Sequence, residues 1–127
     1  MIDVPEIIRT YWYAVDWDAK ALWALDLPVE PLAIAELVWQ LDAPVWSDGE
    51  ADYTVTPLAV LADPERHATL HARMNAADIS YPIEVTFLKD RWLVLDGIHR
   101  LLKCHRDGAA VMFVRKVPVE SLSPWEG

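Results

Sequence analysis

The chain has 127 residues, of which 54% are hydrophobic and 24% charged, a length and composition that suit one folded domain and exclude intrinsic disorder. Eleven basic and twenty acidic side chains give a formal net charge of −9, which argues against DNA and other long nucleic acids as partners, and the single cysteine excludes a disulfide framework. No apolar stretch reaches the roughly 18 residues of a membrane span, and residues 1–10 lack the layout of a signal peptide, so we expect a cytoplasmic protein without a membrane segment.

The first half of the sequence is rich in tryptophan and in acidic residues, and its predicted elements are short. A helix is expected over residues 18–26, stopped by Pro28, and a second helix over residues 31–41, with a proline near its start and a loose apolar face. Residues 53–56 are predicted as a short strand that follows the turn-forming residues 47–49.

The longest helix of the first half is predicted over residues 63–78. Asp63 is a good N-cap, and Pro64 suits the first helical position because the N–H group it lacks would have no partner there. The positions expected to face the core are Leu70, Met74 and Ala77. His67 and His71 have the spacing of a two-histidine metal face, but no third ligand is identifiable, so we predict ordinary helix-face histidines and no protein metal site.

The second half is predicted to form a β-hairpin, a helix and a returning strand. Residues 81–88 alternate between apolar and polar side chains, and residues 89–90 form a tight turn into a strand over 91–95. That second strand is apolar on both faces, which is typical of a central strand. A helix follows over 98–107 and ends at a glycine, and the last strand covers 111–117. Elements in this order predict an α+β domain.

The net charge is distributed unevenly along the chain. Residues 1–98 hold six basic and seventeen acidic side chains, a net charge of −11, and residues 117–127 add a further −2. Residues 99–116 hold five basic side chains against Asp107 alone, a net charge of +4. A short cationic segment in an acidic protein indicates a binding site.

The sequence Asp96-Gly97-Ile98-His99-Arg100 begins this segment and is the most informative part of the chain. A buried strand ends there, the glycine permits a sharp turn, and a helix begins with free N–H groups that can bind a phosphate. An arginine in the first helical turn is unfavourable by roughly 0.3–1 kcal/mol, because the helix N-terminus is itself partly positive. A bound anion would make the arginine favourable there. The alternative is that the aspartate simply caps the helix while the histidine and arginine extend into solvent.

Residues 81–117 resemble the ParB/sulfiredoxin superfamily. Its members share a Pro-Ile-x-Val strand, a hairpin, a Gly-x-x-Arg turn that opens a helix, and a following strand. The matching segments here are Pro-Ile-Glu-Val at 82–85, Asp-Gly-Ile-His-Arg at 96–100, and the strand within 108–117. Residues 29–36 are similar to the entry segment of such domains.

The resemblance implies a single ParB/sulfiredoxin-like domain over residues 1–127. Its core would cover residues 29–118, and residues 1–28 would form a tryptophan-rich N-terminal extension. The expected architecture is a small mixed sheet with a β-hairpin, flanking helices and a phosphate-binding helix N-terminus.

Two branches of the superfamily fit this sequence poorly. Sulfiredoxins place a catalytic cysteine directly before the His-Arg pair, where this chain has Ile98, and Cys104 lies about a turn and a half further along the helix. Chromosome-partition ParB proteins use a turn with two arginines and continue into a DNA-reading helix-turn-helix, for which we expect no room because the sequence ends at Gly127. We therefore expect neither sulfiredoxin activity nor a role in chromosome partition.

The free-serine-kinase branch is more similar, because it uses Asp-Gly-x-His-Arg. That resemblance implies that Gly97, His99 and Arg100 hold nucleotide phosphates, and Lys103 is a further candidate on the same helix. Asp96 would accept a substrate hydroxyl proton or help to hold Mg²⁺, which makes Asp96 and His99 the catalytic candidates. The implied activity is that of an ATP-dependent small-molecule phosphotransferase or a nucleotide hydrolase, with ATP or another nucleotide and Mg²⁺ as cofactors. Candidates for a second acidic residue are Glu36 and Asp42.

Other functions stay open. The tryptophans of residues 12–46 suit a stacking platform for a base, ordinary core packing, or a surface for a protein partner. The last would make the protein a nonenzymatic interaction or toxin–antitoxin-type module, and a ParB-like nuclease is a third possibility. Trp39 or Trp46 is expected to line a cleft. Cys104 is expected to be a small core residue, with a reactive thiol as the alternative.

Overall fold

A computed structural model describes residues 4–124 of the chain. Its strands are β1 (Val15–Asp16), β2 (Val29–Ala33), β3 (Ile83–Leu88), β4 (Arg91–Asp96), β5 (Val111–Lys116) and β6 (Ser123–Pro124). Its α-helices are α1 (Ala19–Ala24), α2 (Pro57–Ala62), α3 (Ala68–Ala76) and α4 (Ile98–Arg106). Short π or 3₁₀ helices cover Ile8–Trp12, Ile34–Glu36, Val38–Asp42 and Val119–Ser121. The α+β class expected from the sequence is confirmed.

Four strands form a mixed sheet in the order β2-β5-β3-β4. Strands β3 and β4 are an antiparallel hairpin, β2 and β5 are antiparallel, and β3 and β5 run parallel. Lys89 and Asp90 both have positive φ angles, +50° and +67°, as a two-residue hairpin turn requires. The predicted hairpin and mixed sheet are thus confirmed. Strands β1 and β6 pair separately as a two-stranded antiparallel ribbon.

Both faces of the sheet carry a core. Helices α2, α3 and α4 cover one face, where the buried residues include Val60, Met74, Ile83, Val85, Val94, Leu101, Leu102, Met112 and Val114. The opposite face of the hairpin is covered by the N-terminal segment, and its buried residues are Leu22, Leu93, Leu95 and Val117. Because of this second layer, Glu84 and Thr86 are buried as well, although they lie on the polar side of the predicted alternation.

The prediction that the strand over 91–95 is central was wrong, because β4 is an edge strand of the sheet. Side chains from the first half of the chain pair its outer backbone groups. Gln40 accepts a hydrogen bond from the Val94 N–H (2.8 Å), and both Gln40 and Trp39 donate to the Trp92 carbonyl (3.1 and 3.2 Å). Trp17 donates to the Leu95 carbonyl (3.1 Å). A covered edge strand is buried on both faces and carries the same apolar pattern as a central one.

The helix predicted over 31–41 was wrong. Residues 29–33 form β2, in which Pro31 lies opposite Phe113 of β5, and two 3₁₀ helices follow. A proline is tolerated here because β2 is an edge strand. Pairing with a strand that lies far along the chain overrides the local helical pattern.

Two further predictions need correction. The helix predicted from residue 63 begins only at Ala68. Residues 64–67 form a separate turn, in which the Asp63 carboxylate accepts the Arg66 N–H (3.3 Å). The strand predicted over 53–56 is reduced to an isolated bridge between Trp46 and Val55. The other predicted elements, α1, α4 and β5, lie within one to two residues of their expected bounds.

The ends of the predicted single domain, residues 1–3 and 125–127, lie outside the described residues. From residue 4 onward the predicted tryptophan-rich extension packs on the sheet, with Trp12 and Trp17 against the second core. No helix within residues 4–124 has both the length and the apolar composition needed to cross a lipid bilayer.

Candidate functional site

The turn between β4 and α4 has the geometry expected of an anion-binding helix start. Gly97 is the N-cap residue with a φ of +112°, a left-handed conformation that favours glycine. Its backbone also passes close to the core, because a Cβ atom there would overlap the Cγ2 of Ile83. No side chain of the described residues caps the helix, so the N–H groups of its first turn lack a side-chain acceptor. The capping role considered for Asp96 is therefore not observed.

A cleft of about 360 Å³ opens at this helix start. It is lined by residues 96–100 together with Trp12, Trp17, Val45, Trp46, Ala77, Val94 and Leu95. The cleft brings together four predicted site residues, Asp96, Gly97, His99 and Arg100, with three tryptophans from the first half of the chain. Its size falls in the range of small-molecule sites, and aromatic walls with a few polar groups are typical of such sites.

His99 contributes a half-buried imidazole ring to the cleft. Its ring stacks on Trp46, with ring centroids 4.5 Å apart and an interplanar angle of 19°. The Nδ1 atom is buried and has no hydrogen-bond partner within the described part of the chain. Burial lowers the pKa of His99, and the positive charge of Arg73 lowers it further. The ring is therefore neutral at physiological pH and offers one donor and one acceptor nitrogen.

Arg100 and Asp96 form an ion pair at the mouth of the cleft, with 3.5 Å between Nη2 and Oδ2. Arg100 also donates to the Pro82 carbonyl (2.6 Å), which ties the helix start to β3. The Asp96 carboxylate accepts the indole N–H of Trp23 (3.1 Å). The Asp96 carboxylate offsets the unfavourable placement of a positive charge at the positive end of the helix, so no bound anion is needed for that purpose. The same contacts hold a carboxylate beside the phosphate-binding candidates.

Lys103 does not line the cleft. Its ammonium group donates to the carbonyls of Asn75 (2.7 Å) and Ala77 (2.9 Å) at the C-terminus of α3. A cation at that end of a helix satisfies free carbonyl groups and complements the helix dipole. This geometry gives Lys103 a structural role between α3 and α4.

The remaining basic side chains of residues 99–116 also have partners elsewhere. Arg106 bonds Asp107 and Asn75, and Lys116 pairs with Glu30 (3.8 Å). Arg115 pairs with the buried Glu84 (3.6 Å) and donates to the carbonyls of Leu22 and Leu25. The net charge of +4 is thus spread over several contacts and is not concentrated at the helix start.

The acidic candidates Glu36 and Asp42 are exposed and do not line the cleft. Within residues 4–124 no group of three or more His, Cys, Asp or Glu side chains is arranged to hold a metal ion. His71 shares a hydrogen bond with the Asn75 amide (3.2 Å). Cys104 is buried, and burial raises the pKa of its thiol, which suits the predicted core role.

Of the two tryptophans expected near a cleft, Trp46 lines it and Trp39 covers the edge of β4. The sequence did not indicate that Trp12 and Trp17 would join them, because both arrive from the N-terminal segment through long-range packing. The influence of Arg73 on His99 was equally hidden, since it depends on how α3 lies beside α4. Only the unusual number of tryptophans signalled an aromatic site.

Comparisons of the chain with models of known protein families, with curated proteins and with solved structures gave no match. The resemblance to the ParB/sulfiredoxin superfamily therefore stays a prediction, based on residues 82–85 and 96–100 and on the order of the elements around them.

Proposed function

We propose that the cleft at the start of α4 binds the phosphate groups of a small nucleotide. The observation that carries the proposal is the helix N-terminus at Gly97, which lines a cleft together with His99. Among residues 4–124 no side chain caps this helix end and none bonds Nδ1 of His99. Free N–H groups and a positive helix end are a common phosphate-binding arrangement. The sequence resemblance points to the same residues.

The aromatic walls support a nucleotide over a bare anion. Trp12, Trp17 and Trp46 line the cleft in which Gly97 and His99 lie. A base that stacks on an indole ring gains roughly 1–3 kcal/mol, and stacking of this kind tolerates different bases. The phosphate end would then sit at the helix start and the base against the tryptophans.

The proposed activity is ATP-dependent phosphotransfer to a small molecule, or nucleotide hydrolysis. Asp96 would accept the proton of the attacking hydroxyl or water, and Arg100 would stabilise negative charge on the transferred phosphoryl group. Among residues 4–124, Asp96 is the only acidic residue of the cleft lining. A single carboxylate fits Mg²⁺ that arrives with the nucleotide, because Mg²⁺ keeps most of its ligands as water and phosphate oxygens. When bound, Mg²⁺ would neutralise phosphate charge.

The test is a titration of the full chain with ATP, ADP and CTP in the presence of Mg²⁺, followed by calorimetry and thermal unfolding. We expect saturable binding, and a rise in Tm that grows with nucleotide concentration. The variants Arg100→Ala and His99→Ala should weaken binding. Arg106→Ala is the matched control, because Arg106 lies on the same helix outside the cleft. Absence of a thermal shift at millimolar nucleotide, or unchanged affinity in Arg100→Ala, would contradict the proposal.

The Asp96→Asn variant separates binding from catalysis. Asparagine keeps an oxygen for the Trp23 indole but removes the negative charge that pairs with Arg100. Nucleotide affinity measured without Mg²⁺ should rise a few-fold, because the variant frees Arg100 from a partly exposed ion pair that is worth roughly 0.2–1 kcal/mol. Phosphotransfer or hydrolysis should fall sharply in the same variant. Full activity in Asp96→Asn would remove the catalytic role of Asp96.

A second candidate function, a nonenzymatic interaction module, is favoured by a different surface from the one first expected. Of the tryptophans within residues 12–46, only Trp23 is exposed, and the others are half-buried. Three of the exposed apolar side chains, Val29, Val111 and Phe113, lie together on the paired strands β2 and β5. Light scattering at increasing protein concentration tests self-association through this face, which Phe113→Asp should abolish. A monomeric mass at every concentration would argue against self-association there.

A further inference from the structure

A second cleft, of about 380 Å³, lies beside the first and shares Arg100 with it. It is lined by Trp23, Tyr81, Pro82, Glu84, Arg100 and Arg115. The sequence did not indicate this site, because its residues come from α1, the segment before β3, β3 itself, α4 and β5, which meet only in the folded chain. Of the residues that line this second cleft, the proposed nucleotide-binding function uses Arg100 alone.

Two large aromatic side chains stand open to solvent at this cleft. Trp23 is 59% exposed and Tyr81 is 65% exposed, although each has a sizeable ring to bury. The indole N–H of Trp23 is held by Asp96 (3.1 Å), so hydrogen bonding fixes the ring while leaving much of its surface uncovered. Rings of this kind beside a cleft are typical of sites that take a flat apolar or aromatic group.

The polar part of the cleft is a buried ion pair. Glu84 is only 3% exposed, in the middle of the sheet, and its Oε2 lies 3.6 Å from Nη1 of Arg115. Desolvation raises the pKa of Glu84, which shows that the favourable charge of Arg115 does not fully offset its burial. A buried ion pair is seldom more stable than apolar residues of similar volume. Stability alone does not account for a glutamate at this position.

The charges of the cleft balance. Glu84 faces Arg115, and Arg100 is paired with Asp96 (3.5 Å). A ligand with a full charge would have to break one of these pairs or remain uncompensated. An uncharged ligand that carries both a donor and an acceptor fits better, because a carboxylate accepts hydrogen bonds and a guanidinium group has five N–H donors. An N–H group next to a carbonyl supplies that combination.

We propose that this second cleft binds an uncharged, planar nitrogen heterocycle with a lactam edge, of the size of a nucleobase. One face of the ring packs on Trp23, and Tyr81 also lines the cleft. The lactam N–H donates to the Glu84 carboxylate, and the adjacent carbonyl accepts from Arg115 or Arg100. Neither a phosphate nor a metal ion takes part.

The probe is free hypoxanthine, and 1-methylhypoxanthine is its matched control because the methyl group replaces the lactam N–H. Binding to the full chain is measured by calorimetry, and by the ¹H–¹⁵N signal of the Trp23 indole, which the Trp23→Phe variant assigns. Hypoxanthine should bind and shift this signal, and the methylated ring should bind at least tenfold more weakly. Absence of hypoxanthine binding at millimolar concentration, or equal affinity for the two rings, would overturn the proposal.

Variants locate the binding site. Trp23→Ala should lower hypoxanthine affinity roughly 5- to 100-fold, the range expected for loss of one base-stacking ring. Phe113→Ala, an exposed aromatic residue outside the cleft, should leave affinity unchanged. Glu84→Gln keeps the size of the side chain and should weaken binding of hypoxanthine more than binding of the methylated ring. If Trp23→Ala bound hypoxanthine as tightly as the unaltered chain, the proposal would be wrong even if Glu84→Gln failed to fold.

The outcome is independent of the proposed nucleotide function. His99→Ala alters the first cleft and should leave hypoxanthine affinity unchanged, because His99 does not line the second cleft. Loss of hypoxanthine binding in His99→Ala, with the protein still folded, would place the ring in the first cleft and refute the assignment.

Discussion

Replacing Gly97 with alanine is the most direct test of how the helix start is built. The residue has a φ of +112°, which costs an L-residue roughly 1–2 kcal/mol. The added methyl group would also overlap Cγ2 of Ile83 and lie 2.9 Å from its Cβ. Because Ile83 is fully buried in the larger core, it has no room to withdraw. Overpacking of this kind costs a further 1–3 kcal/mol, roughly.

The two contributions can be separated with Gly108→Ala. Gly108 also has a positive φ, +76°, but apart from its chain neighbours no described residue has an atom within 4 Å of a Cβ there, so that variant incurs only the conformational cost. Gly97→Ala should therefore lose about 2–5 kcal/mol in urea unfolding, and Gly108→Ala about 1–2 kcal/mol. For a chain of this length each kcal/mol lowers the Tm by roughly 3–5 °C. Equal losses in the two variants would refute the reasoning that Gly97 is required by close packing against Ile83.

Three further variants test the energetics around the site. Gln40→Leu leaves the N–H of Val94 unpaired at a covered sheet edge and should cost about 1–3 kcal/mol in urea unfolding. A loss below about 0.5 kcal/mol would contradict the edge-pairing role of Gln40. Because the pKa of His99 is lowered in the folded state, its contribution to stability is present above pH 6.5 and is lost as the pH falls through the folded-state pKa. His99→Gln should therefore flatten that part of the stability–pH profile. An unchanged profile would show that His99 is not responsible for the pH dependence. Arg115→Met leaves the Glu84 carboxylate buried and unpaired, at a cost of about 3–5 kcal/mol in the free energy of unfolding. Adding Glu84→Gln should recover part of this loss. Strictly additive losses would show that the two residues are not coupled.

The elements predicted correctly are those that short stretches of sequence determine. The turn at Lys89 and Asp90 joins two strands of the right length, so the hairpin follows from adjacent residues. Helix α4 begins directly after Gly97 and ends before Gly108, two glycines with positive φ that mark its bounds. Both signals are local, and the structure needs no distant contact to realise them.

The elements predicted wrongly depend on distant partners. Residues 29–33 become a strand because β5, about 80 residues further on, offers them backbone pairing. Strand β4 has the composition of a central strand because Trp17, Trp39 and Gln40 cover its edge. No periodicity within either segment carries that information, since apolar spacing reports burial but not the element that provides it.

The candidate site follows the same rule: its local part was predictable from the sequence, and the part that depends on distant contacts was not. The turn at residues 96–100 follows from a local motif, and the structure brings those residues into one cleft. Lys103 was a phosphate-binding candidate only because of its positive charge and its position on α4. In the structure its ammonium group instead donates to the carbonyls at the end of α3. The second cleft was not predictable, because Trp23, Glu84 and Arg115 meet only in the folded sheet.

The dispersal of the basic residues constrains what the first cleft binds best. With Lys103, Arg106, Arg115 and Lys116 held elsewhere, a phosphate at the helix start meets mainly backbone N–H groups and Arg100, which is already paired. A helix end contributes roughly 0.3–1 kcal/mol, and up to about 2 kcal/mol where it is partly buried, whereas even a millimolar complex needs about 4 kcal/mol. One stacked base adds roughly 1–3 kcal/mol. The tryptophan walls therefore have to supply about half of the affinity, and a nucleotide should bind where inorganic phosphate alone does not.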